Sequence, residues 1–201
     1  FDSKPPQEEL IDHFVGRMVN ERMNMSEISA RIANMPASAS PEELQLLTKQ
    51  ALDEAVHFRM VKEVVEHITG SELDVEAAIA AEQAKPTAKG AALLAKYEAE
   101  SDPLALAAYQ FIAEGRAERV WHKMAECIQD EFISTTYAKI ARDEGFHSNI
   151  GARALELLGT DAETQARVEE IARTMRMDLF AISCMNTTAT EEAKNLMGVA
   201  Y

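Results

Sequence analysis

The sequence predicts an all-α protein: a four-helix bundle with one long crossover and extra flanking helices. Three observations predict it. Helix-forming Ala, Glu, Leu, Met, Lys and Gln dominate, while the 201-residue chain has only 8 Gly and 6 Pro, mostly at segment boundaries. Apolar residues recur at steps of three and four, with no alternating strand pattern. Two long helical hairpins are separated by a connection of roughly 30 residues, the arrangement of a bundle with a single crossover.

The first helix follows Pro5-Pro6 and runs to about Ala33. Met35 to Pro41 is a connection, with Ser40 as the N-cap and Pro41 at the first helical position of the next helix. That second helix ends near Thr69, with Gly70 as its stop. Residues 71–101 read as weaker helical pieces, broken near Pro86 and Gly90. A third long helix begins after Ser101-Asp102-Pro103 and meets the fourth between Gln129 and Thr136. The fourth runs to about Leu158 before Gly159, and Thr160 or Asp161 caps a further helix to about Met185. The tail after Thr187 is ambiguous. The expectation is one domain over residues 1–201, with a bundle core at about 8–158 and an additional helix at about 160–185.

Composition narrows the function classes. Thirty-four acids against 20 bases give a formal charge of -14, which argues against nucleic acid or an anionic membrane surface. Cys127 and Cys184 are the only cysteines and form no C-x-x-C pair, so a disulfide framework and a thiolate zinc site are unexpected. With no run of about 18 apolar residues and no signal-peptide pattern at Phe1-Asp2-Ser3-Lys4, the expected location is the cytoplasm. Asn186-Thr187-Thr188 matches a glycosylation sequon, which carries little weight in that compartment. There is no Walker loop, G-x-S-x-G elbow, H-E-x-x-H helix or dinucleotide fingerprint.

The informative feature is charge placed within apolar stripes. The first helix has the stripe Ile11, Phe14, Met18, Met25, Ile28 and Ile32, and Glu21 fills its missing slot. In the second, Glu54 and His57 interrupt Leu47, Ala51, Val61, Val65 and Ile68. In the third, Glu114 and Glu118 interrupt Ala107, Phe111, Trp121, Ala125, Ile128 and Phe132. The fourth carries Glu144 and His147 between Ile140 and Ile150. A carboxylate on a core stripe is costly unless it is paired or binds a cation.

Both histidine pairs belong to a longer motif, Asp53-Glu54-Ala55-Val56-His57 and Asp143-Glu144-Gly145-Phe146-His147. With 25 Glu, 9 Asp and 5 His in the chain, chance supplies only about 0.03 copies of Asp-Glu-x-x-His. Hairpin geometry supports the placement, because facing groups are equidistant from the turn. Glu21 and Glu54 have their midpoint between residues 37 and 38, inside the Pro-Ser connection. Glu114 with Glu144 centres on residue 129, and Glu118 with Glu144 on residue 131, so this arithmetic leaves both third-helix acids open.

One Glu from each of two helices and a Glu-x-x-His from each of the others is the donor set of a paired iron or manganese site in a bundle core. Four carboxylates neutralise two divalent ions, and one imidazole per ion leaves positions open for water or oxygen. Asp53 and Asp143 are placed to orient the imidazoles, each reaching the other hairpin's histidine. Met18, Met25, Phe58, Phe111, Trp121 and Phe146 are the residues that would line a substrate pocket, each with ordinary core packing as its alternative. His13, His67 and His122 fall off these stripes and read as surface residues. Met175, Met177 and Met185 read as packing residues and Cys127 as a buried small hydrophobe. Tyr109 and Tyr137 could relay electrons, but nothing local singles them out.

On Glu21, Glu54-x-x-His57, Glu114 and Glu144-x-x-His147, the sequence resembles the ferritin-like di-iron carboxylate superfamily over about residues 8–158. That superfamily includes bacterial multicomponent monooxygenases, aldehyde-deformylating oxygenase, the ribonucleotide reductase small subunit and ferritins. Ala113-Glu114-Gly115 and Arg142-Asp143-Glu144-Gly145-Phe146-His147 resemble segments of its oxygenase-like members, which favours Glu114 over Glu118. The resemblance implies a ferritin-like four-helix bundle with two iron ions, manganese being the other option. It implies that Glu54 and Glu144 bridge the metals, that Glu21 and Glu114 are terminal ligands, and that His57 and His147 each bind one metal. Glu118 would be an additional ligand or lie just behind the ligands.

Departures narrow the subfamily. Val61 stands where reductase subunits carry a radical tyrosine, and Ile140 where arylamine N-oxygenases carry an extra histidine. Typical ferritins lack the second Glu-x-x-His. Multicomponent hydroxylase subunits are usually longer, which favours a small stand-alone oxygenase. The resemblance thus implies a non-haem di-iron oxygenase or oxidase with O2 as co-substrate and a small or medium organic substrate. Its electrons would come from an external donor, a ferredoxin or a reductase, and a homodimer is compatible with it. A ferroxidase or ferritin-like iron binder and a dimanganese catalase-like enzyme use related donor sets.

Overall fold

The computed structural model describes residues 7–85 and 102–186. Every secondary-structure element among them is an α-helix: α1 (Gln7–Ala33), α2 (Pro41–Thr69), α3 (Val75–Ala84), α4 (Pro103–Cys127), α5 (Glu131–Leu158) and α6 (Ala162–Asn186). No helix among the described residues is long and apolar enough to cross a membrane. The expectations for residues 86–101, for the tail after Thr187, for the sequon and for the Met185 side chain lie outside the described residues. The chain divides into two compact units, residues 1–85 with 120–143, and residues 86–119 with 144–201. Helices α4 and α5 contribute residues to both.

In the first unit α1 packs along α2. The start of α2 is set locally: Ser40 Oγ accepts from the Glu43 N–H at 3.0 Å, and Pro41 opens the helix. Its end is equally local. Gly70 adopts φ 68°, a left-handed conformation that suits glycine, and its N–H donates to Glu66 O at 2.8 Å. Phe14, Met18, Leu47, Val61, Val64 and Val65 bury the facing stripes, joined by Trp121, Tyr137 and Ile140. The short α3 is capped by Asp74, which accepts from the Ala77 N–H at 2.9 Å, and it packs against α1.

The connection between α4 and α5 covers only residues 128–130. Asp130 caps α5 through the Ile133 N–H at 3.0 Å, and its carboxylate lies 2.8 Å from His67 Nε2. Ile128 and Phe132 therefore do not continue the α4 stripe: Ile128 is in the connection, and Phe132 is exposed on the first turn of α5. Cys127 is a further correction. It is an exposed thiol at the last residue of α4, not a buried hydrophobe, because the helix ends there and leaves it nothing to pack beneath. His13, His67 and His122 are exposed, as expected.

In the second unit α5 approaches the α4 backbone very closely. A Cβ at Gly151 would sit 2.4 Å from the Phe111 nitrogen, so only glycine fits there. Ser148 Oγ donates to the Phe111 carbonyl at 2.9 Å in the same contact. Ala108 and Ile112 pack with Met175 and Leu179 of α6, so Met175 is a packing residue, whereas Met177 is exposed. Asp161 is the α6 cap, accepting from the Thr164 N–H at 2.8 Å. Asp102 caps α4 and also pairs with Arg167 of α6.

Candidate metal centre

In the first unit α1 supplies Glu21, α2 supplies Glu54 and His57, and α5 supplies Asp143. Glu21, Glu54 and His57 are each 0% exposed, although they occupy positions where the helices otherwise bury Met18, Ala51 and Val61. His57 is held from both sides. Its Nε2 lies 3.1 Å from Asp143 Oδ2, and its Nδ1 lies 3.5 Å from Glu21 Oε2. A carboxylate only accepts, so Nε2 carries the hydrogen in the neutral imidazole and Nδ1 presents its lone pair on the Glu21 side.

Asp143 also accepts from Lys139 Nζ at 2.8 Å. Burial alone would push its carboxyl up, but the hydrogen bonds from Lys139 and His57 outweigh it and hold the carboxyl below its usual range. Asp143 is thus an ionised acceptor for the histidine. Asp53 is half-buried and pairs with Lys49 one turn earlier on α2. Asn24 Nδ2 donates to Glu54 Oε2 at 3.4 Å.

Glu21 has an unusual environment for a buried acid. Among the described residues neither of its oxygens has a hydrogen-bond donor, and the Arg17 guanidinium stands off at 3.6 Å. Burying an ionised carboxylate costs on the order of several kcal/mol, and an ion pair at that separation with a partly exposed arginine offsets only part of it. A divalent cation at Glu21 and His57 Nδ1 would offset far more.

The second unit repeats the donor set. Here α4 supplies Glu114, and α5 supplies Glu144 and His147. Each offers a donor atom within 4.8 Å of the others, so this buried cluster could hold a metal ion. Glu144 is 2% exposed and His147 0%, whereas Glu114 is half-buried. His147 again turns Nδ1 to a glutamate oxygen, Glu144 Oε2 at 3.2 Å. The α4–α5 connection at 128–130 contains the midpoint of Glu114 and Glu144, residue 129, but not that of Glu118 and Glu144.

Glu118 is placed differently. Its carboxylate lies flat against α5, where a Cβ on Gly145 would come within 2.9 Å of Oε1. Gly145 is therefore the cradle that seats Glu118 one turn from Glu114.

No family model matches this chain, and no curated protein or solved structure matches it. The donors themselves carry the chemistry. Each unit offers two glutamates and one imidazole nitrogen with no thiolate, a set of oxygen and nitrogen donors suited to a divalent metal ion. The buried carboxylates and the paired Nδ1 positions fit such an ion.

The expected pocket residues separate. Met18 and Trp121 are fully buried in the first unit, while Met25, Phe58 and Phe146 are half-buried. Phe146 sets its ring edge toward His147, with centroids 6.1 Å apart. Phe111 is 39% exposed, too open for an enclosed wall. Arg17, Lys139 and Gly145 escape sequence reasoning. Arg17 and Lys139 carry one faint signal, since each stands four residues before an acid of the site, Glu21 and Asp143.

Proposed function

We propose that the protein is an O2-activating di-iron oxidase or oxygenase with a ferritin-like four-helix bundle fold. Glu21, Glu54, His57, Glu114, Glu144 and His147 would hold the two ions. The reading is carried by one observation: the glutamate and histidine of both Asp-Glu-x-x-His motifs are buried, and both histidines turn Nδ1 to a glutamate oxygen. The four glutamates balance the charge of two divalent ions, which explains acids where a bundle needs apolar residues.

Bound ferrous iron would supply the electrons for O2 reduction. The rest falls to this chain's own groups. Asp143 fixes the His57 ring and tautomer, and Lys139 keeps Asp143 ionised. The closely packed apolar residues around Met18 and Val61 exclude water from the Glu21 side. Re-reduction requires an external donor such as a ferredoxin or reductase, because the sequence has no flavin or nicotinamide fingerprint.

The test is a single-turnover reaction. Protein loaded anaerobically with ferrous iron is mixed with O2 and a panel of organic acids, alcohols and aldehydes, and products are read by mass spectrometry. Oxidation of a panel member, lost in the Glu54→Ala variant, supports the oxygenase. Iron oxidation with mineral growth and no organic product would favour a ferroxidase. Rapid peroxide disproportionation by manganese-loaded protein would favour a catalase-like enzyme.

A further inference from the structure

The first unit contains a second cluster of buried polar groups, which belongs to neither Asp-Glu-x-x-His motif. Trp121 and Tyr137 are 1% and 0% exposed, and their rings stack with centroids 4.6 Å apart. The Arg17 guanidinium lies over the Trp121 ring at 4.3 Å. Three hydrogen-bond donors of this group have no acceptor among the described residues: Arg17 Nε, Trp121 Nε1 and the Tyr137 hydroxyl. Each is buried, and leaving a buried donor unsatisfied costs about 1–3 kcal/mol. Three such donors around one ring mark a place where an acceptor group would be stabilised.

Their chemistry is one-sided. The arginine and indole groups only donate. Burial pushes the Tyr137 hydroxyl far above its usual range, and Arg17 and Glu21 both act on it, so it stays a neutral O–H close to both charges. Glu21 does not serve as their acceptor, since among the described residues its oxygens have no hydrogen-bond donor. The buried neighbour of Tyr137 is apolar: Phe14 packs against it at a centroid distance of 5.6 Å. Arg17 is the open edge, with its side chain 32% exposed.

We propose that Arg17, Trp121 and Tyr137 form a binding subsite for the carboxylate of a monocarboxylic acid with an apolar tail. A planar two-oxygen anion suits a guanidinium edge, and it accepts from the indole and phenol without donating. The chain is strongly acidic overall, so a buried, donor-only spot is a selective place for an anion. That the bound acid is the substrate rests on the di-iron reading, in which Glu21 is turned to a metal. Binding of the acid does not.

Trp121 is the only tryptophan in the chain, so its emission reports on this subsite alone. The experiment titrates acetate, hexanoate and hexan-1-ol into the full protein, with and without zinc, and follows Trp121 fluorescence. Equilibrium dialysis of radiolabelled hexanoate counts binding directly should the emission be insensitive. The expected result is saturable hexanoate binding in the millimolar range or tighter, at least about tenfold stronger than hexan-1-ol. Arg17→Gln should weaken hexanoate at least about tenfold, and Tyr137→Phe about threefold. No saturable binding, equal binding of the alcohol, or unchanged affinity in Arg17→Gln would overturn the subsite. Zinc uptake is measured in the same samples. Acid binding without zinc uptake sinks the metal reading alone, and zinc uptake without acid binding sinks the subsite alone.

Discussion

His57 Nε2 and Asp143 Oδ2 lie 3.1 Å apart although 86 positions separate the two residues. This contact fixes which imidazole nitrogen faces Glu21, and it ties the first Asp-Glu-x-x-His motif to the aspartate of the second.

The first prediction tests that tie. Asp143→Asn removes the charged acceptor while keeping the side chain's size. Metal affinity should fall about 10–100-fold, as is usual when the partner of a ligating histidine is lost. A chelator-competition titration measures it. Affinity within twofold of the parent would show that Asp143 does not orient His57.

Buried charge without its metal should cost stability. Glu21 is 0% exposed, and among the described residues neither of its oxygens has a hydrogen-bond donor. Glu21→Leu should therefore leave the metal-free protein at least as stable as the parent, with a gain of up to about 1–4 kcal/mol, while abolishing stabilisation by added metal. Urea unfolding with and without ferrous iron or manganese checks both halves. A metal-free variant several kcal/mol less stable would mean that Glu21 is satisfied by the protein alone.

The two α4 acids should behave differently. Glu114→Ala should lower metal occupancy of the second unit's cluster by about tenfold or more, because Glu114 is within ligand reach of Glu144 and His147. Glu118→Ala should leave occupancy within a few-fold. Gly145→Ala should displace Glu118, since the new Cβ would meet Oε1 at 2.9 Å. Elemental analysis of the three purified variants decides the order.

Close helix packing gives a stability prediction independent of metal. A methyl group at Gly151 would collide with the Phe111 backbone at 2.4 Å, and backbone cannot rotate away. Gly151→Ala should destabilise the protein by about 1–3 kcal/mol or more, read from thermal or urea unfolding. Ser40→Ala, which removes the α2 cap, should cost about 0.5–2 kcal/mol by the same measurement.

The acid limb of stability has a local contributor. The hydrogen bond from His67, with that from the Ile133 N–H, holds the Asp130 carboxyl below the usual aspartate range. A depressed carboxylate stabilises the fold above its unfolded-state value, and that stabilisation is lost as pH falls through the lower folded-state value. Asp130→Asn should therefore flatten the fall in melting temperature between neutral pH and about pH 2. An unchanged profile would remove Asp130 from the account.

Much of this was legible in the chain because it is written locally. Ser40, Pro41 and Gly70 mark the ends of α2 by backbone chemistry that needs no tertiary contact. Glu21, Glu54, Glu144 and their histidines stand out because a charge interrupts an apolar stripe, and all are buried. The α4–α5 connection was harder to place. Ile128 and Phe132 prolong the apolar period across it, and Asp130, the residue that caps α5, resembles any surface acid until His67 is seen beside it. Cys127 read as buried for the same reason. The Arg17, Trp121 and Tyr137 cluster depends on three helices meeting, which no spacing in one helix reports.

The central claim is that these buried acids and histidines hold two metal ions. Elemental analysis after anaerobic reconstitution with ferrous iron and removal of loosely bound metal tests it most directly. The account predicts about two iron ions per chain, falling to less than about one in Glu54→Ala and in His147→Ala with helical content unchanged. Absence of tightly bound iron or manganese in the parent, or full loading in both variants, would contradict it.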